Sequence, residues 1–195
     1  MKTVVLADGT RLQADLVIVG IGIIPNTEVA ATAGMDVLNG IVTDAYTRTP
    51  DPNIYAIGDC SNHENNFLGR RLRLESVPNA IEMARTCATA ICGKPVAHDV
   101  VPWFWSDQYD LKLQMVGLSE GYDQVVLRGD VEQESFCAFY LKQGVLICTD
   151  AVNRPQEFIV AKKLVAMRVR PPVEQLRDEN LPLKSLVAAY SLSPA

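Results

Sequence analysis

The sequence predicts an α/β unit followed by an α+β domain with an antiparallel sheet, and three observations carry that reading. Before residue 98, short apolar runs such as residues 16–19 alternate with glycine and proline breaks, as in strands buried on both faces of a parallel sheet. A helical stripe opened by Pro78 closes that half. After residue 102, four strand-like segments are separated by Gly121, Gly129-Asp130 and Gln143-Gly144, a spacing that suits an antiparallel sheet.

Taken in order, residues 3–7 read as a strand and Asp8-Gly9 as a hairpin turn. Residues 16–19 predict a doubly buried strand that ends in Gly20-Ile21-Gly22-Ile23-Ile24-Pro25-Asn26. A short helix is expected over 28–33, ending near Gly34. Residues 41–43 and 54–57 predict two more strands, and 61–73 read as a polar, irregular loop. A helix then begins at Pro78, where the missing N–H of proline costs nothing. Ala80, Ile81, Ala84, Ala88 and Ile91 form its stripe, and Gly93 its expected cap. Strands are expected over 112–116, 124–128, 136–141 and 145–149, then a helix over 155–169 that Pro171-Pro172 stops. The change of pattern puts a boundary near residue 99.

Composition narrows the function classes. The chain has 195 residues, 48% of them hydrophobic and 21% charged, an ordinary globular balance. Its 18 Lys+Arg against 23 Asp+Glu leave a net charge of −5, which disfavours nucleic acid as a partner. No apolar run reaches the roughly 18–20 residues that span a bilayer, so no membrane partner is expected. The first residues lack the apolar core of a signal peptide, and five scattered cysteines suit reduced thiols, so a cytoplasmic protein is expected.

Several residues have chemistry to offer. Gly58-Asp59 delivers a carboxylate at the carboxyl end of an apolar segment, where ligands bind in open α/β sheets; a turn aspartate that simply closes a strand is the competing reading. Trp103 and Trp105 alternate with Phe104, so a strand would present both indoles on one side. Gly20-Ile21-Gly22 allows close backbone approach but is not a phosphate fingerprint, because Pro25 follows and no long helix does. Cys87 and Cys92 would diverge by about 140° around a helix, which argues against a disulfide. His63 and His98 read as too far apart for a metal site, and no metal is expected. Arg70, Arg71, Arg73 and Arg85 offer a basic patch on an acidic chain, with a solvated face as the alternative.

Residues 49–60, Thr-Pro-Asp-Pro-Asn-Ile-Tyr-Ala-Ile-Gly-Asp-Cys, resemble the second flavin-binding motif of two-dinucleotide-domain flavoproteins. Residues 20–26, the Glu-Ser-Val-Pro-Asn-Ala of 75–80, the Pro-Trp-Phe-Trp-Ser-Asp-Gln-Tyr of 102–109 and Asn153-Arg154-Pro155 narrow this. The chain resembles the FAD-dependent ferredoxin reductases of bacterial oxygenase and P450 systems, the putidaredoxin reductase type. The aromatic segment argues against another branch such as NADH oxidase or nitrite reductase.

The resemblance implies a partial two-dinucleotide-binding flavoprotein fold: the end of an NAD-binding domain over 1–39, the last part of an FAD-binding domain over 40–98, and an α+β reductase domain over 99–195. FAD would be the cofactor and NADH the electron donor. Asp59, after Gly58, would hold a ribityl hydroxyl. Ser76, Val77 and Pro78 would bring a helix N-terminus to the isoalloxazine, and Trp105 would lie against it. Gly20, Ile21, Gly22 and Glu75 would line the NAD side. The four arginines would dock a [2Fe–2S] ferredoxin, although Gln114 replaces a lysine of a close relative. No side chain would need to act as a catalytic acid or base, and a homo-oligomer stays open. A complete enzyme of this type needs roughly 300–450 residues, and the first FAD and NAD glycine fingerprints are absent here. The chain is therefore expected to be the C-terminal half of a reductase, with a non-catalytic fragment that does not bind FAD alone as the alternative.

Overall fold

The computed structural model describes residues 2–191, arranged around three separate sheets. β1 (Lys2–Val5) and β2 (Arg11–Ala14) form an antiparallel hairpin whose turn uses Gly9 at φ 86°. Residues 16–19 are not the strand expected of them: they run as an irregular, exposed connection, with Ile18 87% exposed. A doubly covered strand needs a sheet neighbour on each side, and among the described residues none pairs with this run. α1 (Glu28–Thr32) follows, with no buried residue.

The second sheet is small and polar. β3 (Ile41–Thr43) pairs parallel with β4 (Ser61–Asn65), which pairs antiparallel with β5 (Arg70–Leu72). Two expectations fail here for related reasons. Residues 54–57 make a single bridge, between Arg48 and Tyr55, because the Pro50 and Pro52 turn folds this segment onto Thr47 and Thr49. Residues 61–73, expected as a loop, supply two strands because several of their polar groups find partners, although both His63 ring nitrogens and Asn62 Oδ1 do not. Asn65 Nδ2 donates to Val100 O at 3.1 Å, and Arg71 Nη1 donates to Thr43 O at 2.6 Å and Asn62 O at 2.7 Å. Pairing of this kind lets a polar sequence enter a core at little cost.

α2 (Val77–Ile91) starts as expected: Pro78 is in its first turn and the Ser76 hydroxyl caps the Asn79 N–H at 3.3 Å. It buries Met83, Thr86 and Ala90.

The third sheet holds the main core. β6 (Trp103–Gln108), β7 (Leu111–Gly117), β8 (Gln124–Asp130), β9 (Ser135–Lys142) and β10 (Val145–Val152) form an antiparallel sheet in the order β6-β7-β10-β9-β8. α3 (Pro155–Ala166), α4 (Val173–Arg177) and α5 (Leu183–Ser191) cover one face. Val126, Phe139, Leu146, Leu164 and Leu176 are fully buried between them. α3 ends three residues early, because Arg168 turns left-handed (φ 50°) and sends the Val169 carbonyl to the Leu146 N–H. Arg128, 3% exposed, ties the layers together: its guanidinium donates to Glu157 at 2.7 Å, to Asp178 O at 2.6 Å and to Leu181 O at 2.9 Å.

Candidate functional site

The Gly58–Cys60 segment forms a single turn of 3-10 helix that packs on α2. Gly58 adopts φ 73°, a conformation that favours glycine, and an added Cβ would already touch Ala80 at 3.7 Å. The turn thereby carries Asp59 to the N-terminal end of α2, where the Asp59 carboxylate is exposed and makes no hydrogen bond among the described residues. Its backbone carbonyl accepts from Arg73 Nη1 at 3.1 Å, and the same nitrogen pairs with Glu75 at 2.7 Å. Asp59 and Glu75 are thus held on either side of one arginine.

At the start of α2, Val77 is 59% exposed, and its own N–H is the first-turn donor left over, because Pro78 has none and Ser76 takes those of Asn79 and Ala80. That donor and the helix dipole put partial positive charge at the terminus. Asn79 fixes this turn from within. Its backbone N–H goes to Ser76, its amide donates to Leu74 O at 3.5 Å, and its Oδ1 lies 3.1 Å from Nε2 of buried His98. His98 also donates its backbone N–H to Ala45 O at 2.7 Å, so the helix start is braced from two strands away in sequence.

Pro78, Asn79 and Glu82 line one small recess with His98, Pro102 and Trp103. Trp103 in turn stacks on Trp105, ring centroids 5.8 Å apart at 32°, so both indoles do lie on one side of β6. Lys162 of α3 places its ammonium 3.8 Å from the Trp103 ring centre, a cation–π contact. Burial lowers the Lys162 pKa and Glu82 partly restores it. Gly58, Asp59, Ser76, Val77 and Pro78 therefore lie together at the first turn of α2, and Trp105 approaches them through its contact with Trp103. Exposed carboxylate, positive helix end and half-exposed indole (44%) together could hold a flat, polyol-bearing anion.

The remaining expected residues do not join them. Gly20, Ile21 and Gly22 lie in the irregular connection outside all three sheets, and Ile21 is 93% exposed. Arg71 and Arg73 spend their guanidinium groups inside the chain, Arg71 on Thr43, Asn62 and Glu64, Arg73 on Asp59, Asn39 and Glu75. Arg70 pairs with Glu120 and Arg85 with Glu82 on the surface. The separation expected for His63 and His98 is corrected: sheet pairing and the return at His98 bring their rings edge to face at 4.9 Å. Sequence distance says nothing about a residue on β4 and one that packs back under it. Burial, helped by His98 and Arg71, pushes the His63 pKa down to about 4, and burial lowers His98 as well. No group of three or more potential metal ligands occurs among the described residues. Cys87 and Cys92 are free thiols. Lys162 escaped the sequence reading, since nothing in one dimension links it to Trp103, and so did the pairing of Asn79 with His98.

Residues 1–84 match the family described as pyridine nucleotide-disulphide oxidoreductase, and residues 103–187 match the reductase C-terminal family. The chain is 49% identical over 189 residues to putidaredoxin reductase of Pseudomonas putida, covering 97% of this chain and 45% of that protein. It is also 49% identical over 185 residues to the 5,5'-dehydrodivanillate O-demethylase ferredoxin reductase subunit of a Sphingobium species, covering 94% of this chain and 45% of that protein. Among solved structures, the ferredoxin reductase for the CYP199A2 system from Rhodopseudomonas palustris superposes with a TM-score of 0.91 at 45% identity, covering 95% of this chain and 46% of that one. The covalent putidaredoxin reductase–putidaredoxin complex gives 0.91 at 48% identity, covering 98% and 46%. The chain thus spans about half the length of the curated relatives it matches.

Proposed function

The chain belongs to the pyridine nucleotide-disulphide oxidoreductases and carries a reductase C-terminal domain, and on that premise we propose that it forms part of an FAD-dependent ferredoxin reductase, moving electrons from NADH through FAD to a [2Fe–2S] ferredoxin for an oxygenase or cytochrome P450. In this reading residues 1–39 end an NAD-binding domain, 40–98 belong to the FAD-binding domain, and 99–195 form the reductase domain of a cytoplasmic protein. The observation that supports it most is that Asp59 packs at the α2 N-terminus, with Trp103 of the β6 aromatic pair lining a recess beside the same helix start.

The chain's own residues have defined tasks. The Asp59 carboxylate accepts a hydrogen bond from a ribityl hydroxyl, a charge-assisted contact. The Val77 N–H and the α2 dipole would favour negative charge on the pyrimidine side of the ring. Trp105, backed by Trp103 and Lys162, shields the ring from water. FAD, when bound, supplies hydride acceptance from nicotinamide and delivery of electrons one at a time. Gly20, Ile21 and Gly22, with Glu75, would line the side of the nicotinamide nucleotide, and of the four arginines Arg70 and Arg85 have surface left to meet an acidic ferredoxin.

A second reading is favoured by the bare apolar connection at residues 16–24, where Leu16, Ile18, Ile21 and Ile24 are all largely exposed. Under it the chain folds and associates but does not hold FAD unaided. Mixing the purified chain with FAD and removing free flavin by gel filtration separates the two. A retained flavin spectrum is expected if these residues form an FAD site of their own; a colourless protein leaves the association reading.

A further inference from the structure

Away from the flavin-side residues, an open cleft of about 460 Å³ lies where the β4–β5 turn meets the third sheet. Phe67, Leu68 and Arg70 come from that turn; Leu118, Glu120 and Gly121 come from the loop after β7; Lys142, Val145, Leu146, Ile147 and Arg168 complete it from β9, β10 and the end of α3. The volume is that of a small-molecule site, and the place, a junction between structural units, is where such sites concentrate.

Two features of the lining go beyond shape. The floor is apolar, with Leu146 fully buried beside Leu118 and Ile147. The rim is cationic: Glu120 pairs with Arg70, but neither Lys142 nor Arg168 has a carboxylate partner among the described residues. On a chain of net charge −5, two unpaired cations over an apolar floor select an anion with an apolar body.

Arg168 strengthens the case. It occupies the left-handed position (φ 50°) that closes α3, the position where glycine is favoured and a side chain is strained. The side chain kept there spans the junction, with its guanidinium carbon 4.6 Å from the Phe67 ring centre. That contact holds the guanidinium over the Phe67 ring, and its N–H groups make no hydrogen bond among the described residues. A planar fork held over an aromatic ring, with its donors unspent, matches a carboxylate. The geometry points to a binding site for a small aromatic carboxylate, its ring on Leu118, Val145 and Ile147 and its charge between Arg168 and Lys142.

Isothermal titration of the 195-residue chain with benzoate, benzyl alcohol and inorganic phosphate tests this, and needs no flavin. Benzoate is expected to bind at least about tenfold more tightly than either of the others. Arg168→Gly relieves the backbone strain while deleting the cation, so it should keep or raise the Tm and weaken benzoate about tenfold or more. Lys142→Gln should weaken it by a smaller factor. Phosphate binding as tightly would reveal a bare cation patch, benzyl alcohol binding as tightly a mere apolar hollow, and either result overturns the proposal. So does a chain that ignores benzoate, or an Arg168→Gly variant that binds it as well as the parent.

Discussion

At the scale of single residues, Asp59 and His63 show how place in the fold decides chemistry. Asp59 is exposed, unbonded through its carboxylate, and set beside a helix N-terminus. If it holds a flavin hydroxyl, Asp59→Ala removes a charge-assisted contact worth about 1.5–3 kcal/mol. FAD retention by the flavin-loaded protein should then fall at least about tenfold, read by equilibrium dialysis. Unchanged retention would leave Asp59 as a turn residue. His63 is the reverse case, fully buried with neither ring nitrogen hydrogen-bonded. Its pKa drops from 6.5 to about 4 on folding, first through burial and then through His98 and Arg71. Above pH 6.5 it is neutral folded and unfolded alike and adds no pH dependence. Below that, the unfolded chain takes the proton first, so stability falls as the pH drops toward 4, by on the order of 3 kcal/mol. Urea midpoints at pH 7 and pH 4.5 measure the loss. His63→Phe should flatten the slope without abolishing it, since His98 is depressed by burial too.

At the scale of elements, two devices hold the antiparallel sheet to its helices. Gly117 ends β7 at φ 77°, and a Cβ there would stand 2.0 Å from Ile147 O, at the irregularity where β10 shifts register against β9. Gly117→Ala should therefore force β7 and β10 apart and cost more than the about 1 kcal/mol of an ordinary glycine replacement, as a lowered urea midpoint. Arg128 is the other device. Burial alone would raise Glu157, but the Arg128 hydrogen bond and charge, with Arg154, hold it below the usual carboxylate range. Arg128→Leu strands that carboxylate and leaves the carbonyls of Asp178 and Leu181 without their donor. A loss of about 3–5 kcal/mol is expected on urea denaturation. An unchanged midpoint would show that α4 and its loop do not depend on this contact.

At the scale of the whole molecule, stability is unevenly distributed. The five-stranded sheet with α3, α4 and α5 contains the main core, whereas the β1–β2 hairpin and α1 bury no side chain fully. Between them, residues 15–26 make no hydrogen bond among the described residues. Thermolysin, which cuts beside apolar residues in open segments, should cleave first within 15–26 and leave a resistant product beginning between there and residue 40. First cuts inside the β8–β9 hairpin would contradict that ranking. The same connection is the apolar surface that further chain or a partner would cover, and covering it should slow the cleavage.

What could be read from residues alone follows local rules. Proline at a helix start with a serine cap, glycine turns between alternating strands and the Trp-x-Trp pattern of β6 each depend on neighbours a few positions away, and each element appears where expected. That Asp59 and Val77 lie at one helix start was legible through the motifs they sit in. Other features depend on partners that no local pattern names. Residues 16–19 stay out of a sheet for want of a neighbouring strand, and polar residues 61–65 enter one because Thr43, Val100 and Arg71 meet their hydrogen-bonding groups. Lys162 reaches Trp103, and Arg168 reaches Phe67, only because the third sheet folds α3 back across the junction. The sequence by itself determined the helix starts, the turns and most strands of the third sheet; the tertiary structure alone decided whether residues 16–19 and 61–65 entered a sheet, which buried polar groups were satisfied and which cations met an aromatic face, because those energies arise from contacts between residues far apart in the chain.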